Sequence, residues 1–316
     1  MYTNWPHYYI PKFNGLCSFI VNPVFILIIL NDRKLKLGNY RCLLLFFAIF
    51  NMACSTCDVL VPLYSPSNQF ILALRCSFIP TTYAILHAHF VYRYMILFNN
   101  KFLKKYFLPY GMVVTVVYCL AHMAYYIVCC YYLIGADRER KMYMRDSILD
   151  VYGLDSLDSN MIVTLYKEGS YDAVQKSLIG ITAITVLSMD SVILYFILGL
   201  MIMKRLDSSA LIMSKHTKSL QTQLMKALVV QSVIPIVVSF APCVFSWYLP
   251  VFGVDLGRGV YHTSSIAVSA FPFFDPLAIL FFVPTFRRRL KEGFHFLLKP
   301  LPSDQTDSRQ VDCRQE

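Results

Sequence analysis

The chain has 316 residues, 57% of them hydrophobic and 15% charged, with a formal net charge of +10. Soluble proteins carry about 25% charged residues, so a water-soluble fold would lack the polar surface to cover this much apolar side chain. The basic excess sits in short gaps between apolar runs, which argues against a nucleic-acid-binding face and for the loops of a membrane protein.

A helix needs about 20 apolar residues to cross the hydrocarbon core. Seven windows meet that requirement, at about 13–30, 42–64, 71–98, 107–133, 178–203, 228–249 and 260–282. They predict an all-α, seven-transmembrane helix bundle. A near-neutral stretch precedes the first window, so it reads as a membrane anchor and not as a cleavable signal. The third window is interrupted by Arg75, His87, His89 and Arg93, and the count of seven depends on it.

Cations gather in alternate gaps: Arg33, Lys34, Lys36 and Arg41, then Lys101, Lys104 and Lys105, then Lys204, Arg205, Lys215, Lys218 and Lys226. After the seventh window comes Arg287-Arg288-Arg289-Leu290-Lys291. The positive-inside rule then places the N-terminus outside and the C-terminus inside. Residues 1–12 are expected to be an extracellular N-terminus, and residues 13–297 the membrane domain. Within that domain, residues 134–177 form an extracellular loop long enough to fold over the bundle. The basic run before Phe294 predicts a short amphipathic helix on the inner leaflet, and residues 298–316 read as a disordered cytoplasmic tail.

Ionisable residues at membrane depth are costly and mark function by default. Asp58 falls in the second window, Asp190 near the middle of the fifth, and His87 on the third is a candidate partner for either. Tyr83 shares a helix face with His87 and Phe90 and is the leading candidate for lining an apolar pocket. Neutral carboxyls packed between helices would give the same pattern. Asp275-Pro276 lies deep in the seventh window, where the proline removes a helical hydrogen bond and permits a bend. The carboxyl beside it can join a polar network with Asn22 and Asn51. Pro235 and Pro242 raise the same choice between hinge and static kink in the sixth. No nucleophile–base pairing, phosphate loop or metal spacing is visible, so neither an enzyme nor a cofactor is expected. The alternative is an ion channel or secondary transporter running through Asp58, Asp190 and Asp275, against which stand the seven windows and the absence of internal repeats.

Three ordered motifs carry a resemblance across the chain. His89-Phe90-Val91-Tyr92-Arg93-Tyr94 closes the third window. Gln221-x-Gln223-Leu224-x-Lys226 leads into Pro235 and Ala241-Pro242 in the sixth. Phe274-Asp275-Pro276-Leu277, followed by Phe286-Arg287-Arg288, closes the seventh. Together they resemble the nematode Str-type serpentine chemoreceptors (serpentine receptor class R), the group that includes odorant receptors. The resemblance implies an odorant-like small-molecule ligand, a heterotrimeric G protein as partner, and the plasma membrane of the cilium of chemosensory neurons. Carried onto this chain, it makes Arg93, with Tyr92, Tyr94, Gln223 and Lys226, the G-protein-coupling set. Seventeen residues separate Cys76 from Arg93, about 26 Å of helix, which puts Arg93 near the inner face if Cys76 is near the outer one. An anchor snorkelling to the headgroups would look the same. Rhodopsin-like receptors hold the corresponding arginine with an adjacent carboxylate. Here Tyr92 and Tyr94 flank it, so any resting lock must be built differently. The seventh window likewise has Asp-Pro where rhodopsin-like receptors have Asn-Pro. Cys76 lacks a cysteine partner in the 134–177 loop, leaving Cys129 and Cys130 as candidates for a disulfide.

Overall fold

The computed structural model describes residues 5–31, 38–61, 68–98, 101, 105–153, 155–207, 214–254 and 258–297. The tail 298–316 and the loop cations Arg33, Lys34, Lys36 and Lys104 lie outside the described residues. The helices in chain order are α1 (Trp5–Asn31), α2 (Tyr40–Leu60), α3 (Gln69–Phe98), α4 (Phe107–Leu133), α5 (Arg138–Tyr152), α6 (Tyr171–Asp207), α7 (Lys215–Pro235), α8 (Arg258–Phe282) and α9 (Pro284–Leu297). Beyond Pro235, α7 runs on through a π-turn at Ile236–Phe240 into Ala241–Tyr248.

Six of these helices are individually long and apolar enough to cross a bilayer. Ala267–Phe282 of α8 meets the same test together with Pro284–Glu292 across a 98° bend, giving up to seven crossings. Helices run past the apolar windows because the backbone hydrogen-bond ladder does not end where the side chains turn polar. Thus α1 starts at Trp5 and not at residue 13, and α6 spans 37 residues from Tyr171.

The third helix explains its own weak hydropathy. In α3, 67% of the spanning window is buried inside the protein, against 22% in α6. It packs against α2, α4, α6 and α7, so its polar side chains meet protein and never lipid. Arg75, His87, His89 and Arg93 are all buried.

Prolines shape the other spans. Pro276 has no N–H to give the Pro272 carbonyl one turn back, and the Asn22 amide on α1 fills that acceptor at 3.1 Å. In α7 the Ala241 N–H reaches the Ile236 carbonyl, one residue further than α-helical spacing. This widened turn lies between Pro235 and Pro242, where two backbone donors are missing.

Between α4 and α6 the chain forms a lid. Asp137 caps α5 by accepting the Arg140 N–H, and Gly153 ends it at φ 65°, the left-handed turn that glycine takes without steric cost. Gly135 and Ile162 form an isolated β-bridge beneath it. Arg140 is the fastener: its side chain is only 2% exposed. It donates to the Leu133, Gly135 and Ala173 carbonyls, to Ser177 Oγ and to Asp137 Oδ2 at 2.7–3.3 Å. Burying an arginine is costly unless its donors find acceptors; here Nη1 and Nη2 are answered, Nε is not among the described residues, and these partners tie the lid to α4 and α6. The Gln69 amide on α3 donates to the Met161 carbonyl at 3.3 Å, and the Tyr166 hydroxyl donates to the Trp247 carbonyl on α7 at 2.6 Å. The lid is therefore pinned across the ends of four spans. Arg140→Ala should release it, because each lost hydrogen bond costs about 1 kcal/mol net. Amide hydrogen exchange should rise across 138–158 while the helix centres of α3 and α4 stay protected. Unchanged exchange in the lid would show that Arg140 does not hold it.

Candidate functional site

At the end of α3 farthest from the lid, Arg93 is buried at 3% exposure. Its guanidinium lies over the Tyr40 ring of α2, 3.7 Å from the centroid, a cation–π contact strengthened by the loss of water. Nη1 donates to Gln221 Oε1 on α7 at 2.6 Å. Nε and Nη2 have no partner among the described residues. Tyr40 is itself fixed by a 2.8 Å hydrogen bond with His89 Nδ1. Tyr92 is buried between Tyr40 and Phe107, and Tyr94 stacks on Phe98. Gln223 reaches only Ser219, 3.2 Å away, and Lys226 is exposed. The lock on Arg93 is thus a neutral amide from α7 together with an aromatic ring from α2.

Deeper in the bundle, Asp275 on α8 is fully buried. Its Oδ2 accepts from the Asn51 amide at 3.5 Å, and the Gln231 amide of α7 donates to its backbone carbonyl at 3.4 Å. Oδ1 has no partner among the described residues. The structure brings Asn51 to Asp275 directly. Asn22 joins one turn away, through Ser18 and the Pro272 carbonyl, and Asn14 adds a 2.9 Å bond to Ser269. Four helices converge on the turn before Pro276 through polar contacts.

The pocket candidates separate. Asp58 pairs with Arg75 at 2.8 Å, each side chain 8% exposed, and Arg75 also donates to the Val61 carbonyl at 2.6 Å. Its partner is therefore Arg75 and not His87. His87 Nε2 donates to the Ser191 carbonyl at 3.4 Å, which leaves Nδ1 to accept from the Tyr118 hydroxyl at 2.9 Å. Tyr83 is buried, and its carbonyl accepts from the Tyr195 hydroxyl at 3.1 Å. With Phe90, Tyr195 and Phe271 it fills the middle of the bundle. Asp190 is exposed on the flank of α6, where it lines a groove of about 340 Å³ with Tyr248 of α7. The three aspartates do not share one contact network among the described residues.

Comparison with known proteins decides what this bundle is. The family model for the serpentine type 7TM GPCR chemoreceptor Srj matches residues 1–69 and 63–290. The chain belongs to the serpentine chemoreceptors. A Caenorhabditis elegans protein, serpentine receptor class J-38, is 33% identical over 98% of this chain and 100% of its own length. Serpentine receptor class r-10 of the same organism is 25% identical over 89% of this chain and 87% of its own. The relatives thus spread across classes J, r and str. Among solved structures, squid rhodopsin superposes with a TM-score of 0.63 at 12% identity, covering 93% of this chain and 86% of that one. The likeness fixes the fold. This serpentine receptor is a multi-pass membrane protein and a G-protein-coupled chemosensory receptor.

In this receptor Cys76 packs against the cluster that holds Cys129 and Cys130, with Cys130 beside it, and all three are free thiols. Of the two cysteines the sequence left open, Cys130 is the one beside Cys76. Sequence reasoning missed Gln221, Tyr40 and Arg75 as partners. A signal existed for Arg75, since it and Asp58 each lie a few residues from adjoining helix ends and must match in depth.

Substitutions at Gln221 and at the Asp58–Arg75 pair test these contacts. Gln221→Glu should turn the neutral lock into an ion pair and lower agonist-independent nucleotide exchange on the G protein several-fold. Gln221→Ala should raise it. A buried charge deprived of its partner costs about 3–5 kcal/mol, so Asp58→Leu alone should lower the melting temperature of the detergent-solubilised receptor sharply. Asp58→Leu with Arg75→Met should recover most of that loss; failure to recover would show that the ion pair is not what those side chains contribute.

Proposed function

We propose that the receptor binds a small, mainly apolar odorant-like ligand in the half of the bundle beneath the lid, and that the ligand favours a state whose opposite end binds a heterotrimeric G protein through Arg93. The observation that carries the reading is the buried guanidinium of Arg93 at the end of α3. Gln221 takes one donor, while Nε and Nη2 meet no protein acceptor among the described residues. Unpaired buried donors are expensive, so a carbonyl-rich helix end inserted there gains what they lack. Gln221 is on α7, and α7 carries the Pro235 bend, so swinging that helix outward breaks the lock and opens the space in one movement. Tyr92 and Tyr94 frame the arginine, and Gln223 and Lys226 present the polar edge of α7 to the partner. The Asp275 network, joined to α7 by Gln231, is the polar switch about which the helices repack.

No covalent chemistry is required. A ligand shifts such an equilibrium only by its differential affinity for the two states, and one neutral hydrogen bond is a low barrier to that shift. The N-terminus and the lid face the outside and the basic end faces the cytoplasm, on the positive-inside rule. By family resemblance the membrane is the plasma membrane of the sensory cilium.

Arg93→Ala tests the reading. A peptide copying the C-terminal helix of the G protein's α polypeptide should bind the nanodisc-held variant at least about tenfold more weakly, the loss of charge-assisted hydrogen bonds. Surface expression should hold. Equal binding by wild type and variant would remove Arg93 from the coupling step.

A further inference from the structure

A groove able to take a ligand opens on the side of the bundle. The axial route is filled by Tyr83, Phe90, Tyr195 and Phe271, all buried, and the lid above is pinned by Arg140, Gln69 and Tyr166. The groove of about 340 Å³ opens instead on the flank between α6 and α7, lined by Thr182, Val186, Met189, Asp190 and Ile193 with Tyr248. In a bilayer this flank meets lipid: Val186 is 61% exposed, Met189 45% and Ile193 51%.

Among those apolar side chains sits a carboxyl near mid-membrane. A hydrogen-bonding group facing hydrocarbon without a partner is costly, and such residues are retained at sites that bind something. Tyr248 and Thr185 at the groove edge satisfy each other at 3.0 Å, while Asp190 makes no hydrogen bond among the described residues and Thr182 adds a hydroxyl beside it. The volume holds roughly a dozen non-hydrogen atoms, at about 30 Å³ each in a liquid. The groove also touches the core, because the residue after Asp190 accepts the His87 hydrogen bond, and His87 packs on Tyr195 at 5.0 Å and His122 at 6.1 Å between ring centroids.

We propose that this groove is a ligand site reached sideways through the bilayer, and that it takes a medium-chain aliphatic molecule whose head, an amine or an alcohol, donates a hydrogen bond to Asp190. The proposal rests on the receptor reading above and names its ligand class and route of access. A molecule of that kind concentrates in lipid before it meets the protein, so a sealed lid is no obstacle to it. A carboxylate of the same length has no hydrogen to donate to it.

The test uses the full-length receptor in nanodiscs with a ten-carbon aliphatic amine carrying a diazirine and an alkyne, alongside the matching alcohol and carboxylic acid. After illumination, labelled peptides are mapped by mass spectrometry. The amine and alcohol should label the 182–193 stretch, and excess unlabelled decylamine should suppress it. The acid should label it about tenfold less, as should the amine on Asp190→Val, the loss of one hydrogen bond to a carboxylate. Should Asp190→Val fail to accumulate, Val186→Trp fills the groove from a lipid-exposed position, keeps the carboxyl and should cut labelling equally. Labelling spread evenly over the lipid-facing helices, or unchanged in both variants, overturns the proposal in favour of ordinary lipid solvation. Cross-linking of Val186→Cys between two copies, with exclusion of the probe, overturns it in favour of a dimer face. No arm of the experiment involves the G protein, so a failure here is distinct from a failure at Arg93.

Discussion

Water is absent from the hydrocarbon core, so each polar group carried to that depth must find its partner inside the bundle. The receptor meets this constraint mainly through α3, the helix with the most enclosed span. Arg75 takes Asp58, His87 takes Tyr118 and the Ser191 carbonyl, His89 takes Tyr40, and Arg93 takes Gln221 and the Tyr40 ring. Each pairing fixes the rotation of a neighbouring helix about α3. Together they set which faces of α2, α4, α6 and α7 turn inward.

The same constraint separates what is finished from what is poised. The Asp58–Arg75 pair is closed, with Val61 answering the guanidinium a second time. That makes it an architectural contact between α2 and α3. Arg93 and Asp275 are incomplete by contrast: two nitrogens of one and one oxygen of the other go unanswered among the described residues. Both contact α7, the helix interrupted by Pro235, the π-turn and Pro242. The helix best able to bend is the one whose movement changes both unsatisfied sites.

Legibility in the sequence followed the range of the interaction. Hydropathy marked α2, α3, α4 and α8 to within about a turn, because lipid responds to local composition, while α1, α6 and α7 begin about two to four turns before their apolar windows. The proline positions were equally plain, since a missing N–H acts on its own helix. Gln221 stood in the motif that leads into Pro235, yet nothing local distinguishes it from Gln223; only the rotation of α7 turns one inward and leaves the other beside Ser219. Arg140 was one charge among many in a mixed loop, and its burial follows from carbonyls contributed by both α4 and α6.

The sequence by itself determined a helical, multi-pass membrane chain with its cations gathered in alternate loops, the bends at Pro235 and Pro276, and an arginine at the end of the third span. These are properties of single residues or single helices, read by lipid and by the backbone without reference to any neighbour. Only the packed bundle supplies the partners: Gln221 for Arg93, Arg75 for Asp58, Asn22 for the carbonyl that Pro276 leaves free, and an exposed position on the flank of α6 for Asp190. Pairing across helices depends on rotation and depth to within an ångström or two, and those are set by the packing of all the helices at once.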